Sequence, residues 1–135
     1  MVSYTIDDSI LTLRASGETT MLHEHEPVFE TLRADGDVPA GALVMLDVRE
    51  VDVDINEYAV PERLRILFDQ LGPKLGPVCA MLVRAGRIEQ ARLFQTRAIA
   101  FGLLVALFSD EQPAREWLKS CRYRWRQSVD RDRHL

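Results

Sequence analysis

The chain is poor in cysteine, has no long apolar run, and carries a wide gap in its hydroxyl residues. Cys79 and Cys121 are the only cysteines in 135 residues, and neither sits in a CxxC or Cys/His spacing. A sequence-coded zinc site or dithiol redox pair is thereby excluded, and both read as reduced thiols. The longest apolar stretch, AIAFGLLVALF (98–108), contains Gly102 and falls short of the roughly 18 residues that a spanning helix needs. The opening MVSYTIDDS lacks a basic segment followed by an apolar one, so no secretory signal is visible and a cytoplasmic location is expected. No serine or threonine occurs between Thr31 and Thr96, and no G-x-S-x-G elbow occurs anywhere.

What is present suits one domain: 47% hydrophobic residues, 28% charged, and enough length for a real core. The net charge of −4 is unevenly spread. From Lys119 onward six basic and two acidic residues give +4, which leaves −8 on the 118 residues before it. An acidic body disfavours nucleic acid as a partner.

The pattern alternates between strand and helix signals. SYTID and ILTLRAS, joined at DDS, predict a β-hairpin. Thr19 or Thr20 can cap a first helix, but Pro27 fits only a first turn, so the regular helix should start near Glu24, with Val28, Phe29 and Leu32 buried. ALVMLDV is continuous rather than alternating, which predicts a strand covered on both faces. Leu64, Leu67, Phe68 and Leu71 follow at helical spacing behind Pro61. VCAMLV predicts another buried strand, and Ala91, Phe94, Ala98 and Phe101 mark a helix that Gly102 should stop. LLVALF predicts the last strand. Ser109 or Asp110 should cap the last helix, whose apolar face runs through Trp117, Leu118, Cys121 and Trp125. The order β-β-α-β-α-β-α-β-α predicts an α/β fold: a five-stranded mixed sheet, an N-terminal hairpin followed by βαβ crossovers, covered by about four helices. Residues 1–120 form the expected domain, and 121–135 a basic and aromatic C-terminal extension. Leu67, Phe68, Phe94, Leu107 and Trp117 are the expected core.

Three stretches resemble the SpoIIAA-like branch of the STAS superfamily: LRADGDVPAGALVMLDVRE, AMLVRAGRIEQARLF and VALFSDEQPAREWL. The resemblance spans most of residues 3 to 118. It implies the α/β sandwich just derived, a binding or regulatory role without an established reaction, and a similarity to CRAL-TRIO lipid-binding domains. In anti-sigma-factor antagonists of this class a serine after the corresponding strand is phosphorylated. LDVREVDVDIN has no hydroxyl, and Tyr58 is the only phosphorylatable residue between Thr31 and Thr96. A Ser/Thr phosphoswitch at that place is therefore not expected.

The acidic stretch after Asp47 (Glu50, Asp52, Asp54, Glu57) matches neither an EF-hand nor a P-loop companion, and reads as solvated acids beside Arg49 and Arg63. His23 and His25 are two apart rather than four, so no metal is expected there. Cys79, in mid-strand, reads as a packed thiol. Asp47 ends a buried strand at the carboxyl edge, where α/β sheets place ligands. RAGRIEQAR joins a strand to a helix N-terminus, a setting that can hold an anion. The candidate ligand-binding set is Asp47, Arg49, Gly86 and Arg92. A second candidate patch, for a membrane surface or an acidic partner, is Lys119, Arg122, Trp125 and Arg126. The expected function is a non-enzymatic binding module with a regulatory or scaffolding role and no cofactor. Its partner would be a protein or a small apolar ligand, with a homodimer and a weak membrane contact also considered. The alternative is a peripheral, membrane-associated carrier or sensor of an apolar ligand.

Overall fold

The computed structural model describes residues 2–17, 25–38, 41–51, 69, 75–100 and 102–121. Five strands form one sheet in the order β1-β2-β3-β4-β5. They are β1 (Val2–Asp7), β2 (Ile10–Gly17), β3 (Ala42–Val51), β4 (Leu75–Leu82) and β5 (Leu104–Phe108). β1 and β2 are antiparallel, and β2 to β5 are mutually parallel. Helix α1 (His25–Ala34) joins β2 to β3. Helix α2 (Ile88–Ala100), preceded by a 3-10 turn at Ala85–Arg87, joins β4 to β5. Helix α3 covers residues 111–121. Asp69 is helical, and the rest of the segment expected as a helix between β3 and β4 lies outside the described residues, with Leu67 and Phe68.

Local chemistry accounts for the boundaries. Asp8 and Ser9 take φ of 53° and 63°, the left-handed pair that a two-residue type I′ hairpin requires. Gly102 sits at φ 90°, where its N–H donates to the Ile99 carbonyl (2.9 Å) while the Leu103 N–H donates to Ala98 (3.1 Å). That pair of bonds is a Schellman stop, and it explains why α2 ends there. Pro27 lies in the first turn of α1, where no intrahelical bond is lost. Pro113 is likewise in the first turn of α3. Ser109 does not cap α3, for its buried hydroxyl has no partner among the described residues.

Residues of β3 alternate between two cores, as a strand of period two must. Ala42, Val44, Leu46 and Val48 join Leu11, Leu13, Cys79, Met81 and Val105 beneath α1 and α2, which contribute Leu32, Ala91, Phe94 and Ala98. Leu43 and Met45 join Ile10, Ala80 and Leu82 beneath α3, which contributes Ala114 and Leu118. Phe94 is fully buried; Leu107 and Trp117 are half-buried and pack against the first and second core respectively. Trp117 meets Phe108 in a tilted ring contact of 5.8 Å.

Two strands are longer than their apolar runs. β3 continues through Arg49 and Glu50 to Val51, and β4 begins at Leu75, among the glycine and proline that precede its apolar run. For β3 the cause is visible: side chains from beyond β4 hold its last carbonyls.

Candidate functional site

Asp47 lies on the face of the sheet that α3 covers, and Arg49, at a bulge where Arg14–Ser16 run against Asp47–Glu50, folds back to meet it. Asp47 is 7% exposed, and its partners explain how a carboxylate tolerates this. Arg49 grips it with two parallel bonds, Nε to Oδ1 at 3.0 Å and Nη2 to Oδ2 at 2.9 Å. The Arg49 backbone N–H donates to Oδ1 at 3.1 Å. Arg14 lies directly opposite Asp47 in the parallel β2–β3 register and approaches Oδ2 at 3.6 Å. Burial pushes the Asp47 pKa up, but the Arg49 hydrogen bonds and the charges of Arg49 and Arg14 outweigh it, so the pKa falls below the ordinary value.

The chain of charge continues onto α3. Arg14 Nη2 lies 3.5 Å from Glu111 Oε1, which also receives Arg115 Nη2 at 3.2 Å. Arg115 Nη1 reaches Asp7 at 3.6 Å, and Lys119 Nζ reaches Asp8 in the hairpin at 2.7 Å. Glu111, Arg115 and Lys119 are four apart and form one row along α3. An open, ionic groove runs here between Asp7, Asp8, Glu111, Gln112, Arg115 and Lys119.

A second group of arginines secures the end of β3. Arg84 Nε donates to the Arg49 carbonyl and its Nη2 to the Val51 carbonyl at 3.0 Å; Arg87 Nη1 also reaches the Val51 carbonyl, at 3.2 Å. Both arise from the segment after β4, so they span one strand spacing. This tie fixes the backbone from which the acidic stretch departs.

Of the residues singled out from sequence, Asp47 and Arg49 are in direct contact. Gly86 lies in the 3-10 turn between Arg84 and Arg87, and a Cβ placed there would meet nothing within 4 Å. Close approach therefore does not demand glycine at that position. Arg92 is not part of the Asp47 group. It projects from α2, which packs on the other face of the sheet, and pairs with Glu89 at 3.1 Å. Lys119 faces the β1–β2 hairpin, while Arg122, Trp125 and Arg126 lie outside the described residues. Asp52, Asp54, Glu57 and His23 also lie outside them. Among the described residues no group of three or more His, Cys, Asp or Glu side chains is placed to hold a metal ion. Burial pushes the Cys79 thiol up to about 12, against a smaller opposing effect of the Leu46 backbone, so it stays protonated at neutral pH. Among the described residues no helix is long and apolar enough to cross a membrane.

Arg14, Arg84 and the role of Arg87 were not apparent from the sequence. For Arg14 a signal existed: it is the only charge within the apolar ILTLRAS strand.

The five-stranded mixed sheet with helices on both faces is the fold that the sequence resemblance implied, and it has a counterpart among solved structures. A solved structure described as an anti-sigma factor antagonist from Mycobacterium paratuberculosis matches with a TM-score of 0.57 at 15% identity, covering 88% of this chain and 93% of that one. No protein-family model matches the sequence, and no curated protein matches it.

Proposed function

We propose that the protein is a non-enzymatic regulatory module that works by binding another protein at the carboxyl ends of its parallel strands. The observation that supports this most is the state of Asp47. Its carboxylate is held by Arg49 and Arg14 with a lowered pKa, which suits a fixed strut and not a proton carrier at neutral pH. The Arg84 and Arg87 bonds to β3 carbonyls add to a rigid, pre-formed edge. The fold is one that an anti-sigma factor antagonist also uses, and binding a protein is consistent with it. Control by serine or threonine phosphorylation beyond β3 has no acceptor, since residues 32 to 95 contain neither. The apolar-carrier alternative gains nothing from the groove along α3, whose lining is ionic.

Native mass spectrometry of freshly purified protein tests the two readings together. The expected result is a chain mass without lipid, and a protein partner that cross-links to the wild type but not to a Glu50→Arg, Asp110→Arg variant. Both of those residues are exposed at this edge. A stoichiometric lipid adduct would overturn the reading in favour of the carrier.

A further inference from the structure

The two edge strands of the sheet, β1 and β5, are treated differently among the described residues. At β5 the Val105 carbonyl points away from β4 and accepts a bond from Gln95 Nε2 at 2.8 Å. A side chain from α2 thus occupies an acceptor that an incoming strand would use. Among the described residues β1 has no comparable guard. It is six residues long, VSYTID, without proline, glycine, lysine or a bulge, the usual devices against edge pairing. The type I′ turn makes Asp7 and Ile10 the hydrogen-bonded pair, so Asp7, Thr5 and Ser3 bond to β2. The N–H and C=O groups of Val2, Tyr4 and Ile6 therefore face outward. The Tyr4 side chain is tied over the α1 side by its bond to Asp35 (2.8 Å), which leaves the main chain at the edge open.

We infer that β1 pairs with β1 of a second copy of this chain, antiparallel across a two-fold axis at Tyr4, to make a continuous ten-stranded sheet. The occupant follows from self-complementarity. In this register Val2 meets Ile6 of the second copy and Tyr4 meets Tyr4, so the outward-facing backbone groups of both chains are satisfied together. The half-buried side chains of Val2, Tyr4 and Ile6, which already pack against the core, gain apolar neighbours on the same face. On the other face Ser3 meets Thr5 of the second copy, a hydroxyl pair at the closer, non-hydrogen-bonded spacing. The strand's one charged side chain, Asp7, falls beyond the overlap, so no like charges are opposed. Strand pairing of this length buries less than the roughly 1,200 Å² of a standard interface, so the dimer is concentration-dependent. The inference is independent of the partner-binding reading above, which concerns the carboxyl ends of the parallel strands and other residues.

Sedimentation-equilibrium measurement of the full chain over micromolar to millimolar concentration tests it. Wild type should show a monomer–dimer equilibrium. Ser3→Glu with Thr5→Glu opposes like charges twice across the axis, and should weaken dimerisation about tenfold or more. Ser3→Glu with Thr5→Lys opposes unlike charges at the same two places and should restore it. Both variants keep the helices and core, because Ser3 and Thr5 are exposed, and thermal melts of each check the fold. A monomer throughout the range, or a dimer that responds equally to both variants, overturns the inference. If the doubly acidic variant does not fold, the Glu/Lys variant alone decides, since it should dimerise at least as strongly as wild type.

Discussion

The two faces of the sheet are held by different physics. Among the described residues the face beneath α1 and α2 buries eighteen apolar side chains in one cluster, and the face beneath α3 buries seven. The second face makes up part of the difference with charge: Arg49, Asp47, Arg14, Glu111, Arg115 and Asp7 link β3 to α3 and the hairpin. Apolar burial is non-directional and is not screened by salt. Ion pairs are directional and weakened by salt and acid. The first face therefore supplies stability, and the second supplies the placement of one helix over one end of the sheet.

The sharpest way to break this contrast is to empty a site on each face. Phe94, on α2, is the largest fully buried side chain among the described residues and points into the first core. Phe94→Ala should cost about 3–5 kcal/mol in urea unfolding, by lost burial and the cavity left behind. Leu118, on α3, is also fully buried, but in the second core. Leu118→Ala should cost less, about 2–3 kcal/mol, because a helix held on a smaller apolar patch can settle toward the gap. A loss below about 1 kcal/mol for Phe94→Ala, or a larger cost for Leu118→Ala, would show that the two faces had been ranked wrongly.

The same contrast explains what was legible in the sequence. Period and punctuation report on one element at a time. Continuous apolar runs marked β3, β4 and β5, and Gly102 marked the stop of α2. Asp47 and Arg49 were both legible as candidates, but their direct pairing was not, because Arg49 lies past the apolar run that marked the strand. Arg14 was not, since its opposition to Asp47 depends on the β2–β3 register, set across a whole crossover. Arg84 and Arg87 escaped for a related reason. Their acceptors are backbone carbonyls at Arg49 and Val51, which carry no residue signature. Those bonds also let β3 run past its apolar residues, so composition alone ended the strand too soon.

Asp47→Asn sharpens the account of the ionic face. The substitution keeps the shape but removes the charge that Arg49 and Arg14 share. After discounting for the partial exposure of both arginines, it should cost about 1–2 kcal/mol at pH 7. The pH dependence carries the stronger signature. The folded pKa of Asp47 lies below its ordinary value of 3.8, so its contribution is present above that value and is lost as pH falls through the folded pKa. The stability gap between wild type and variant should hold from pH 7 to about 5 and close below about 4. A gap that persists unchanged in acid would mean that the loss comes from packing and not from the carboxylate.

Thr12 tests whether the ionic face is fully matched. It is 1% exposed, and its hydroxyl has no hydrogen-bond partner among the described residues. Thr12→Val exchanges that hydroxyl for a methyl of nearly the same size in a strand, where valine is favoured. It should raise stability by about 1 kcal/mol, the cost of an unsatisfied buried hydroxyl. A loss of the same size would reveal a partner for Thr12 that the apolar reading of its surroundings overlooks.

The smallest effect should come from the outer end of the charged row. Lys119 and Asp8 meet at 2.7 Å, yet both are about half exposed. Water and salt screen such a pair, and two side chains must be ordered to make it. Lys119→Ala should therefore change stability by no more than about 0.5 kcal/mol in 0.1 M salt, and by less at 1 M. Arg115, with a side chain only 19% exposed and bonds to both Glu111 and Asp7, should exceed it and keep more of its effect in high salt. Denaturation midpoints of the two alanine variants at both salt concentrations give the comparison directly. If Lys119→Ala proves the costlier, α3 is anchored from the hairpin end. If Arg115→Ala does, the anchor is the middle of the row, where the helix crosses from the apolar half of this face to the charged half.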